Sequence, residues 1–78
     1  MPESGQSALN NYLQKRGRLS DLSWIDIQEG LKHTPQWTSI CKIQDVERAT
    51  GTGTKKNIAR DMAADAVLVL LREEEDTT

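Results

Sequence analysis

Apolar and polar positions alternate or recur along this chain in a way that marks five elements. Leu9, Tyr12, Leu13 and Arg16 in "SGQSALNNYLQKRG" follow one another at spacings of three and four, which places the apolar groups on one helical face. Ser4 is suited to cap that first helix, and Gly17 to close it in the left-handed conformation. "LSWIDIQEG" interleaves β-branched and aromatic residues with polar ones and ends at Gly30, so it reads as a strand. "LKHTP" is a turn, where Pro35 is expected to stop the ladder.

In "QWTSICKI" Trp37, Ser39, Cys41 and Ile43 alternate with Thr38, Ile40 and Lys42, the period of two of a strand with one buried face. "QD" permits a tight reversal into a third strand, "VERAT". "KKNIARDMAADAVLVLL" holds neither Gly nor Pro and is rich in Ala and Leu, a strong helix. Its packing stripe is expected along Ala59, Ala63, Ala66 and Leu70, broadened by Met62 and Val69. Small residues there let the helix lie close to a sheet. The fold class is therefore α+β, in the order α-β-β-β-α: a three-stranded antiparallel sheet with two helices packed on one face.

Seventy-eight residues make one small domain, expected over 6–72 between a flexible N-terminus (1–5) and an acidic flexible tail (73–78). A single cysteine excludes an internal disulfide and points to an intracellular setting, cytoplasmic or nuclear. No apolar run approaches the length of a membrane span, and no basic-then-apolar leader opens the chain.

The net charge of −2 argues against a polyanion partner until its distribution is read. Residues 1–30 carry −1, residues 31–60 carry +4 and residues 61–78 carry −5. Local sign decides where a polyanion docks.

The basic third contains "GTGTKKNIAR". It is not a Walker loop, because no Gly precedes a lysine directly, and the third Gly of a dinucleotide fingerprint is absent. Free N–H groups at a helix start still favour an anion, and Lys56 and Arg60, four apart, share one helix flank.

These stretches together resemble the double-stranded RNA-binding domain. "ALNNYLQKRG", "GLKHTPQW" and "GTGTKKNIARDMAADAVLVL" carry the resemblance, from about Ser7 to Leu71. It implies three RNA-touching surfaces. Polar residues of the first helix, Ser7 and Asn11, would reach one minor groove; the family commonly has Glu where Asn11 stands. Gly30 and His33 match a Gly-Pro-x-His signature entering the next minor groove, with Leu31 in place of the proline. Lys55, Lys56 and Arg60 would hold phosphates across the intervening major groove, with Asn57 where a second lysine is usual. Trp24 to Gly30 is a residue shorter than the family pattern, and Ile43 to Gly51 a residue longer.

Recognition of that kind rests on shape. A-form RNA hides its major groove and shows 2′-hydroxyls in a shallow minor groove, so a rigid domain reads roughly 16 base pairs with little sequence preference. A second reading keeps the fold but trades RNA for a protein partner or a homodimer, formed through an exposed strand or the second helix.

Other chemistry has no support in the residues. His33 and Cys41 are too few for a metal set, and no cofactor or small-molecule substrate is implied. Asp21, Asp26 and Glu29 lack a nucleophile to serve, so no enzyme activity is expected. Trp24 and Trp37 are read as packing rather than as stacking platforms. Cys41 is read as a small buried hydrophobe.

Overall fold

A computed structural model describes residues 4–76; residues 1–3, 77 and 78 of the expected terminal segments lie outside it. Helix α1 spans Gly5–Lys15, and a 3₁₀ turn follows at Leu19–Asp21. Strands β1 (Leu22–Leu31), β2 (Thr34–Ile43) and β3 (Val46–Gly53) then form an antiparallel sheet in that order, and helix α2 runs Lys56–Asp76. The expected α-β-β-β-α order is present, with the 3₁₀ turn as an addition.

Local chemistry explains the boundaries. The Ser4 hydroxyl accepts the Ser7 N–H at 3.1 Å, supplying one of the four donors that a helix start leaves unpaired. Beyond α1, Gly17 takes the left-handed φ of +67°. At the β2–β3 reversal Gln44 and Asp45 have φ of 53° and 64°, the two positive values a type I′ turn needs.

The first hairpin is longer than expected. Leu31 pairs with Thr34, leaving only Lys32 and His33 as the turn, and Pro35 lies within β2 opposite Gly30. The expectation that Pro35 would stop the ladder is corrected for a positional reason. Pairing with β3 begins only at Trp37↔Gly53, so β2 is still a sheet edge at Pro35, where a missing N–H is tolerated.

The β2–β3 pairing contains a bulge. Cys41 pairs with Ala49 but Lys42 with Glu47, so Arg48 has no opposite number.

On β2 the buried face is the one read from the sequence: Ser39, Cys41 and Ile43 are buried. Cys41 and Ile43 meet Leu9 and Leu13 of α1 and Ala63, Ala64, Val67, Leu68 and Leu71 of α2 in one core. The stripe on α2 departs from expectation. Ala59 and Ala63 are buried, but Ala66, Met62, Val69 and Leu70 are exposed, and Ala64, Val67, Leu68 and Leu71 take their place.

Gly51 shows how tightly that stripe is held. A Cβ added there would stand 2.2 Å from the Ala59 carbonyl oxygen and 2.6 Å from the Ala63 nitrogen. The α2 backbone rests directly on β3, and only small residues fit between them.

Helix α2 does not end at the acidic run. It continues to Asp76, and two of the acids hold neighbouring elements. Glu75 accepts from Arg16 Nε at 2.5 Å and Nη2 at 2.9 Å, and Glu74 pairs with Arg48, the bulge residue of β3.

Candidate nucleic-acid interface

The residues singled out from the sequence fall on three separate elements. Ser7 and Asn11 are one helical turn apart on the exposed side of α1. Asn11 borders a polar cleft of about 210 Å³ that also touches Tyr12, Lys15, Arg16 and Arg72. The two helices run side by side, tied at one end by Asp61, which accepts from the Gln6 backbone N–H and side-chain amide at 3.1 Å each. A carboxylate at the start of α1 also suits the helix dipole. At the other end the Arg16–Glu75 pair closes the contact, with Arg16 lying 3.6 Å over the Tyr12 ring. Arg16 and a hydrogen bond from Tyr12 hold the Glu75 carboxyl below its ordinary range.

His33 sits exposed at the tip of the first hairpin. Gly30 behind it has φ of +93°, and a Cβ there would approach the Thr34 carbonyl oxygen to 2.5 Å. Such a conformation at so close an approach is open only to glycine. Gly30 thus shapes the hairpin that carries His33.

Lys55, Lys56 and Asn57 are exposed where α2 begins. The Ala59 N–H donates to the Lys55 carbonyl at 3.1 Å, so the N–H groups of the preceding turn have no helical acceptor. Positive side chains and positive dipole end coincide there.

Arg60 is placed differently from the lysines. Its Nε donates to Asp26 Oδ1 at 2.9 Å and its Nη2 to Asp26 Oδ2, a forked pair that spans helix and sheet. The Ser39 hydroxyl donates to the same Oδ1 at 2.7 Å, and the guanidinium lies 5.3 Å from the Trp24 ring. The Arg60 guanidinium beside Asp26, helped by Ser39, holds that carboxyl below the usual range against the opposing effect of burial.

From the sequence Asp26 reads only as an enzymatic carboxylate, and its pairing with Arg60 is missed. A signal was present: Leu22, Trp24 and Asp26 share the inward phase of β1, and an acid on an inward phase needs a partner.

The remaining candidates are structural. Trp24 packs against the core, and Trp37 is half-buried. Cys41 is fully buried, and burial pushes its thiol up to about 11, so it stays protonated and unreactive at neutral pH.

Comparison with known families adds one match. The family described as double-stranded RNA binding motif matches residues 7–71. The chain belongs to the double-stranded RNA binding motif family. No curated protein matched the chain. At family level the motif binds double-stranded RNA and generally carries no catalysis. The match runs from within α1 to within α2 and covers all three strands, so the three groups of residues described above lie within the motif.

Proposed function

We propose that this chain recognises duplex RNA by shape, through two minor-groove probes and the phosphates of the major groove between them. Ser7 and Asn11 form one probe and the Gly30–His33 hairpin the other. Lys55 and Lys56 hold the phosphates. The observation that carries this reading is the coincidence of two exposed lysines with the N-terminal, positive dipole end of a 21-residue helix. Phosphate contacts there fix register without reading sequence, while 2′-hydroxyl contacts select RNA over DNA. The domain acts by binding alone, in an intracellular setting.

Titration of labelled duplex RNA, duplex DNA and single-stranded RNA against the protein, at low and moderate salt, tests it. Duplex RNA is expected to bind most tightly at both salts. Equal affinity for RNA and DNA duplexes overturns shape recognition and leaves plain electrostatics.

One observation favours a second reading, a homodimer. Ile25, Ile27 and Leu31 on β1, an edge strand, are 39%, 40% and 74% exposed. A chain that fails to bind duplex RNA but sediments as a dimer supports that reading.

A further inference from the structure

Between the first hairpin and the start of α2 the sheet opens. β2 and β3 pair only from Trp37↔Gly53 inward, so Thr34–Gln36 extend past β3 while Thr54 turns away towards α2. The diverging chains leave a groove of about 340 Å³ lined by Thr34, Pro35, Gln36, Thr52, Gly53 and Thr54. Its position ties it to the proposed interface at both ends, since His33 precedes Thr34 and Lys55 follows Thr54 in the chain.

The lining selects a ligand class. It contains three hydroxyls and one carboxamide, and no charged side chain. A phosphate would find no cation within it. A base would find no aromatic ring to stack on. Threonine hydroxyls and a carboxamide both donate and accept hydrogen bonds, which matches a sugar hydroxyl.

Alternation places Thr34, Gln36 and Thr52 on the uncovered face of the sheet. Ser39, Cys41 and Gly51, of opposite phase, are buried towards the helices. We infer that this groove is a ribose site, in which Thr34, Gln36 and Thr52 hydrogen-bond 2′-hydroxyls of the RNA strand that runs from the His33 turn to Lys55. The inference rests on the duplex-RNA reading and assigns it a further set of contacts. Threonine also favours strands, and valine keeps that preference while removing the hydroxyl.

The test compares the parent with a Thr34→Val/Thr52→Val variant on two probes, an unmodified RNA duplex and the same duplex with 2′-O-methyl riboses. The variant is expected to bind unmodified RNA about fivefold to 150-fold more weakly, the range for two lost hydrogen bonds of ordinary net value. Its salt dependence stays that of the parent, because no phosphate contact changes. Its penalty for 2′-O-methylation shrinks by a similar factor. Parent-like affinity for unmodified RNA in a variant with parent-like melting overturns the ribose site, and so does an undiminished 2′-O-methyl penalty. Should the double variant melt lower, Gln36→Met at an exposed position carries the same comparison and the same criteria. A parent that binds no duplex RNA overturns the duplex reading and the groove with it. A parent that binds while both variants match it overturns the groove alone.

Discussion

Arg60 of α2 and Asp26 of β1, thirty-four positions apart, form a forked ion pair that joins the helix to the sheet. Their side chains are 26% and 16% exposed, dry enough that losing one partner strands the other. Arg60→Gln is therefore expected to destabilise the fold by about 1–3 kcal/mol, read as a shift in the urea midpoint. The same variant should leave the salt dependence of RNA binding unchanged. Lys56→Ala should lower that slope by nearly one. A drop of equal size in Arg60→Gln would show that Arg60 leaves Asp26 for phosphate.

The same pair makes stability depend on acid. The Asp26 carboxyl is held below its ordinary range by Arg60, so the unfolded chain takes up its proton first as pH falls. The stabilisation is fully present above the unfolded value of about 3.9 and is lost as pH falls through the lower, folded value. Urea midpoints from pH 7 down to about 2.5 should fall more steeply in the parent than in Asp26→Asn, which has no proton to bind there.

Ala63 and Ala66 should part company on enlargement. Ala63 is buried where α2 rests on β3 and Gly51, and Ala63→Leu should cost about 1–3 kcal/mol by overpacking. Ala66 is exposed, so Ala66→Leu should change the melting temperature little. Equal losses in both would contradict the observed face of α2.

Removing residues 73–78 has two effects of opposite kind. The deletion takes away the Glu74–Arg48 and Glu75–Arg16 pairs, so melting temperature should fall. It also removes negative charge and uncovers two arginines, so RNA affinity should rise at low salt and the gain should fade near physiological ionic strength. A gain undiminished at high salt would indicate direct occlusion by the acidic turn.

Asn57 is exposed beside Lys56 in the first turn of α2. Asn57→Lys should steepen the salt dependence by roughly one contact and tighten binding to duplex RNA. Preference for RNA over DNA should not change, because the added contact reaches phosphate alone. Titrations at three or more salt concentrations give both quantities.

Much of the architecture was legible in the residues because it is set locally. Ser4 caps α1 with its own hydroxyl, Gln44 and Asp45 supply the tight turn, and the period of two in β2 places Ser39, Cys41 and Ile43 inside. The exposure of Asn11, His33 and Lys55–Lys56, the groups of the proposed interface, was legible for the same reason: each stands on an element whose type the neighbouring residues dictate.

Three matters were decided only in three dimensions. Helix α2 is apolar on more than one side, with Ile58, Met62, Val69 and Leu70 exposed, so periodicity alone could not choose its buried stripe. Contact of its backbone with Gly51 of β3 chose it. In the sequence the acidic run reads as part of a flexible tail, but Arg16 and Arg48, brought in from α1 and the β3 bulge, reverse the local sign and pair with Glu75 and Glu74. Arg60 read as a phosphate contact because it lies four residues from Lys56, whereas the partner that holds it comes from β1. Spacing along a helix tells which side chains share a flank; the sheet packed against that flank determines which of them remain open to a ligand.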